Sequence, residues 1–127
     1  MQLNLDCIRD VLLELETFPI GLYTVSSFQS CLSKYSDEQV LYTLVKLCEG
    51  NYINALFSRT LGGRPIISAV YDITFQGHEF LEKIRSDNVW NNNLKPAFSS
   101  IGSMSLDVVS KVASTVIAAL VTSKLGL

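Results

Sequence analysis

The stretch from Tyr71 to Trp90 constrains the fold of this chain more than any other. It runs Tyr-Asp-Ile-Thr-Phe-Gln-Gly-His-Glu-Phe-Leu-Glu-Lys-Ile-Arg and then Ser-Asp-Asn-Val-Trp. Tyr71 and Ile73 stand two apart, as residues sharing one face of a strand do. Thr74 follows where an N-cap hydroxyl takes an orphan backbone N–H, and Gly77, Phe80, Leu81 and Ile84 then recur at helical spacing. A strand is therefore expected to feed directly into an amphipathic helix with Phe80 in its core. If that helix continues, Trp90 points away from the stripe of Phe80, Leu81 and Ile84.

Upstream, Asn4 can cap a first helix whose Leu5, Ile8, Leu12 and Leu15 form an apolar stripe, ending near Thr17 before Pro19 and Gly21. Residues 20–35 fit two patterns. Leu22 to Phe28 is rich in β-formers, whereas Val25, Phe28, Leu32 and Tyr35 also suit a short helix; the reading favoured is extended structure followed by an irregular turn. Ser36 and Gln39 form a capping box for the next helix, Asp37 and Glu38 place negative charge at its positive end, and Gly50 closes it. Residues 52–60 and 65–73 read as two strands around Gly62-Gly63, with Ile53, Ala55 and Phe57 on one face and Ile67, Ala69, Tyr71 and Ile73 on one face of the return strand. Asn91-Asn92-Asn93, Pro96 and the Ser99-Ser100 cluster mark a linker.

Two runs carry a family resemblance. Tyr35-Ser-Asp-Glu-Gln-Val, continuing into Leu-Val-Lys-Leu-Cys-Glu-Gly-Asn-Tyr-Ile, is similar to the helix-then-strand element of winged-helix proteins. The Tyr71–Trp90 stretch, with Ile-Thr-x-x-Gly-His-x-Phe-Leu, then Ile-Arg, then Trp, resembles the signature of a winged-helix-like bacterial and phage family of unknown function. The resemblance extends to residues 103–108, where that family also resumes a helix, and Phe75 stands where relatives often carry Trp. It implies an α+β fold: a winged-helix-like domain over residues 1–90 with the hairpin as its wing, a linker over 91–103, and a linked hydrophobic helix over 104–127. Thr74, Gly77, His78, Phe80, Leu81 and Trp90 are the motif positions, with structural roles.

Composition limits what such a domain can do. Hydrophobic residues make up 48% and charged residues 17% of 127 residues, enough to bury a core. The net charge of −2 divides unevenly: residues 1–50 carry three Lys/Arg against seven Asp/Glu, and residues 51–127 carry seven against five. No strongly basic face of the kind a dedicated DNA reader presents follows from this. His78 is the sole histidine, no nucleophile elbow or Gly-rich nucleotide motif occurs, and Gly62-Gly63 precede a strand rather than a helix, so no catalytic residue, metal or cofactor is expected. A local role for His78, paired with Glu82 or hydrogen-bonded to the wing, outweighs a catalytic one. Cys7, Cys31 and Cys48 are odd in number and lack Cys-x-x-Cys spacing, and Met1-Gln-Leu-Asn-Leu-Asp lacks a basic leader segment. Free thiols in a reducing cytoplasm are the expectation.

The C-terminal segment points to a function. Ser103 or Ser105 can restart a helix that runs to Leu125 and stops at Gly126, and Val116 to Val121 is apolar on every side. Twelve residues between Lys111 and Lys124 span about 18 Å, short of a hydrocarbon core of about 30 Å. Self-association through Val109, Val112, Val116, Ile117, Leu120 and Val121 is therefore the leading expectation, ahead of a helix folded back on its own domain: a homo-oligomer, with a further protein partner unidentified, cytoplasmic, with membrane insertion after assembly ranked last. This reads as a non-enzymatic phage or prophage-type interaction module, a phage–host conflict effector. The alternative is a winged-helix DNA-binding transcriptional regulator, which would contact DNA weakly through Tyr42, Thr43 and Lys46 on the candidate recognition helix and Arg59 and Arg64 at the wing tip.

Overall fold

Asn4 begins the first element as its chemistry requires: its side-chain oxygen accepts from the Cys7 backbone N–H at 3.1 Å, and α1 runs Leu5–Glu16. The computed structural model describes residues 1–101 and 105–126. The chain divides into two compact units, Met1–His78 and Glu79–Leu127. Each is taken by itself below.

In the first unit, Tyr23 exchanges two backbone hydrogen bonds with Val70, at 2.9 and 2.7 Å, as an isolated antiparallel bridge. A 3₁₀ turn at Val25–Ser27 and the one-turn α2, Gln29–Leu32, follow. Extended pairing is thus confined to Tyr23, and the irregular turn expected after it is instead a 3₁₀ turn and one turn of α-helix. Glu14 holds α2 in place, accepting from the N–H groups of Ser30 at 3.0 Å and Cys31 at 3.1 Å. A carboxylate from another helix here satisfies the start of a helix too short to stand alone. Ser36 caps α3, Asp37–Glu49, by accepting from the Gln39 N–H at 3.1 Å. The antiparallel hairpin of β1, Ile53–Arg59, and β2, Pro65–Ile73, completes the sheet, with bulges that interrupt its register between Asn54 and Ala55 and between Leu56 and Phe57. The core gathers Ile8, Leu12, Val40, Leu44, Ile53 and Val70 from α1, α3 and the hairpin, all almost wholly buried. The fold is α+β.

The strand-to-helix junction is tied by one cluster of bonds. Thr74 Oγ1 accepts from the Gly77 N–H at 2.9 Å and donates to the Asn51 carbonyl at 2.7 Å, while the Thr74 N–H donates to the Tyr52 carbonyl at 3.0 Å. α4, Phe75–Ile84, starts there. Gly77 is required by packing: a Cβ at this position would lie 2.0 Å from the Tyr52 carbonyl oxygen. The boundary between the two units falls inside α4.

In the second unit α4 ends at Ile84, and Ser86 caps the short α5, Asp87–Val89, accepting from the Val89 N–H at 3.3 Å. Trp90 therefore does not sit on a continued α4. It opens a π-helical turn, Trp90–Leu94, that runs into α6, Lys95–Ile101. The residues expected as a linker are helical as far as Ile101. Trp90, Leu94 and Phe98 explain this, since all three are buried and Trp90 meets Phe98 edge-on at 5.9 Å. Phe80, Leu81 and Ile84 are buried as their spacing predicts. Ser103 and Met104, where a helix restart was expected, lie outside the described residues, as does Leu127; Ser105 supplies the cap of α7, Leu106–Leu125.

Two outcomes test this account. Gly77→Ala, which in an ordinary helix interior stabilises by about 1 kcal/mol, should here destabilise by about 1–3 kcal/mol through overpacking against backbone, seen as a lower denaturation midpoint. For Glu14, burial alone would raise the carboxyl pKa, but the bonds from Cys31 and Ser30 outweigh it and hold it below the ordinary carboxylate value. The charged form is favoured by folding, so this contribution is complete above the ordinary pKa of about 4.3. It is lost as pH falls through the depressed folded value. Urea melts of Glu14→Gln should be lower at neutral pH and flatter across the acid range than those of the parent.

Candidate interaction site

α7 is built by its ends and its stripe. Ser105 Oγ accepts from the Val108 N–H at 3.3 Å, Asp107 and Lys111 pair at 3.0 Å one turn apart, and Gly126 closes the helix in the left-handed conformation at φ 72°. At 100° per residue, Leu106, Val109, Ala113, Val116, Ile117 and Leu120 fall within about 100° of arc, with Val112 and Val121 on its flanks. Ala118 and Ala119 lie on the far side with Thr115 and Thr122. Val116 to Val121 is apolar on every side, with its large side chains on one stripe and Ala118 and Ala119 behind them.

The stripe is used unevenly. Within the second unit α7 lies against the Trp90–Leu94 turn and α6, and its Leu106, Val109 and Ala113 are buried. Lys83 donates to Ser110 Oγ at 3.1 Å on the edge of that contact. Val109, expected on an association surface, is 1% exposed and belongs to this internal packing. Val112, Val116, Ile117 and Leu120 are half-buried, and Val121 is 51% exposed. Of the back of the helix, the hydroxyls of Ser114 and Thr115 turn onto the carbonyls of Ser110 and Lys111, each at 3.1 Å, and so spend their polarity locally.

The face expected to meet DNA is assembled differently from its sequence pattern. Thr43 is 0% exposed; its hydroxyl donates to the Gln39 carbonyl at 2.8 Å and lies 3.3 Å from Cys7 Sγ, so it faces the core and leaves the list of surface contacts. Tyr42 and Lys46 remain at the surface of α3, with the Lys46 ammonium 5.5 Å from the Tyr42 ring centroid. Glu49 draws in both nearby cations, Lys46 at 3.3 Å and Arg59 at 3.7 Å, and Arg59 also donates to the Gly63 carbonyl at 3.1 Å. The signal that could have exposed this pairing is the i,i+3 spacing of Lys46 and Glu49. Arg64 stands at the hairpin tip beside a cleft of about 300 Å³ that Glu38, Leu41 and Tyr42 also line.

His78 lines a second cleft of about 310 Å³ with Glu16, Phe18, Tyr71 and Asp72. Asp72 is held by Asn54 Nδ2 at 2.7 Å, and Glu82, the helical partner considered for His78, is paired by Arg85 at 2.9 Å. Among the described residues, no three His, Cys, Asp or Glu side chains converge as a metal site would need. Cys7, Cys31 and Cys48 are free; burial pushes the Cys31 thiol pKa well up, with the bonded Glu14 carboxylate adding to it, and burial likewise raises that of Cys7. Neither buried thiol has the thiolate character a nucleophile needs.

Residues 2–103 match the family described as "Hypothetical protein (DUF2513)". That match stops just before α7. A Haemophilus influenzae protein described as "Uncharacterized protein" is 33% identical over 117 residues, covering 92% of this chain and 96% of the relative, an alignment that reaches into α7. No solved structure matches.

Proposed function

The chain belongs to the DUF2513 family, and we propose that it is a non-enzymatic interaction module that self-associates through the outer half of the α7 stripe. One observation carries this reading: the stripe that is buried at Leu106, Val109 and Ala113 continues through Val116, Ile117 and Leu120, which are only half-buried, to Val121, which is 51% exposed. A second copy brings an identical surface. On the same reading the Ile-Thr-x-x-Gly-His-x-Phe-Leu signature is structural, with Thr74 and Gly77 fixing the hairpin to α4. The protein is read as cytoplasmic. Membrane insertion after assembly ranks lower, because α7 is about 30 Å long but the charges of Lys111 and Lys124 leave only about 18 Å of uncharged helix between them. The narrower identity, a phage or prophage-encoded effector, is supported by sequence resemblance alone.

A second reading, a winged-helix-like DNA-binding regulator, is favoured by the order of elements: α1, the Tyr23 bridge, α2, α3, then the hairpin. The charges oppose it. Asp37 and Glu38 stand at the start of α3 and Glu49 neutralises two of the three available cations.

Replacing Ile117 and Leu120 together with Asp should abolish self-association while the first unit keeps its helical signal and melting transition, because a charge in an apolar interface costs several kcal/mol unless paired. Sedimentation measures the masses; a wild type that stays monomeric across the micromolar range overturns the reading. For DNA, three cations allow a salt slope no steeper than about −3 on a log–log plot, so fluorescence anisotropy should find weak binding gone by physiological salt. A tight, sequence-selective complex there, lost in Lys46→Ala or Arg64→Ala, would instead establish the regulator.

A further inference from the structure

We infer that the cleft between the hairpin tip and α3 binds an α-amino acid with a large apolar side chain, its carboxylate on Arg64 and its ammonium group on Glu38. This goes beyond the self-association reading and does not depend on it.

One wall of the cleft is a closed turn. The Thr60 N–H donates to the Arg64 carbonyl and the Gly63 N–H to the Thr60 carbonyl, each at 2.9 Å, with Gly63 in the left-handed conformation at φ 84°. Arg59 donates to the Gly63 carbonyl at 3.1 Å and pairs with Glu49 at 3.7 Å, so the side chain that braces the turn also ties it to the end of α3. Arg64 is therefore presented from a fixed position. The other wall is a helix face: Glu38, Leu41 and Tyr42 are spaced i, i+3 and i+4 on α3 and so point the same way.

Two opposite charges line this cleft and neither is used within the fold. Among the described residues the side chains of Glu38 and Arg64 have no hydrogen bond or ion pair, with each other or with a neighbour. The other cations of this corner, Lys46 and Arg59, are taken by Glu49. A phosphate would be attracted by Arg64 and repelled by Glu38, and a simple amine would meet the reverse. A ligand that carries both charges on one small frame satisfies both. Leu41, Pro65, Met1 and the Tyr42 ring supply the apolar surface between them, which suits an aromatic or branched aliphatic side chain. The volume, about 300 Å³, is at the small end of the range for ligand sites, so a single amino acid fits better than an extended peptide. Both ionic contacts are open to water and are worth about two- to fivefold in affinity each. A weak complex follows, with a Kd of about 0.1–1 mM.

Titration of the ¹⁵N-labelled full chain with L-phenylalanine tests this. Saturable shifts should centre on the amides of Leu41, Tyr42, Gly62 and Gly63. N-acetyl-L-phenylalanine and L-phenylalaninamide, which each lack one charge, should bind about two- to fivefold more weakly. In Glu38→Gln the acetyl group should cost nothing further, and in Arg64→Gln the amide should cost nothing further; both residues are exposed, and an otherwise unchanged spectrum verifies that each variant is folded. No saturable shift below about 10 mM, ten times the weakest Kd expected, overturns the inference. So do shifts centred elsewhere, or penalties for the blocked ligands that persist in both variants. Phenylacetate binding as tightly as phenylalanine would show Arg64 acting alone and overturns the assignment to an amino acid.

Discussion

The first unit depends on how closely Gly77 approaches the Tyr52 carbonyl. Tyr52 follows Asn51, which takes φ 65° to turn the chain from the end of α3 into β1. That turn aims the Asn51 and Tyr52 carbonyls at the point where β2 ends, and Thr74 answers both, with its hydroxyl to one and its N–H to the other. The same hydroxyl receives the Gly77 N–H and so starts α4. Three elements distant in sequence are thereby fixed by one side chain and one missing Cβ. A larger residue at 77 would have to move backbone, which close packing resists.

The charge arrangement on α3 follows from a second constraint, that helix ends prefer complementary charge. Asp37 and Glu38 suit the N-terminus and Lys46 the last turn. Glu49, also in the last turn, runs against that preference, and the chain resolves it by closing Lys46 and Arg59 around its carboxylate. Arg59 thus ties the end of α3 to β1, while Lys46 pairs with Glu49 within the helix. What stabilises this corner also withdraws positive charge from the face that a nucleic acid would meet.

Much of the first unit was legible because its signals are local. Asn4, Ser36 and Thr74 cap as their side chains dictate, and the hairpin alternates as strands do. What was not legible depended on distant partners. Residues 20–35 balance strand and helix propensity, and the outcome is decided by Val70 on one side and Glu14 on the other. The polar run at 91–93 reads as a linker until Trp90, Leu94 and Phe98 are seen to be buried, and a π turn shifts their phase in a way no 3.6-residue period predicts. Thr43 was grouped with Tyr42 and Lys46 as a possible DNA contact on α3. It is satisfied within its own helix, which lets it face the core at little cost.

For α7 the division of one stripe into a covered and an uncovered half bears directly on how strongly it can act. Full burial of a Val, Leu or Ile side chain contributes about 1.5–3 kcal/mol. Val116, Ile117 and Leu120 are already half-buried, so each has only part of that left to gain. Association itself costs about 4–15 kcal/mol in lost freedom, a sum of the same order as what two such outer halves together can return. On the self-association reading, the helix is therefore balanced near the threshold of pairing. A longer apolar stripe would pair permanently, and one ending at Ala113 would not pair at all. On that reading the length of the apolar stripe beyond Ala113 would make pairing responsive to local concentration, since partners held close to one another avoid much of that cost.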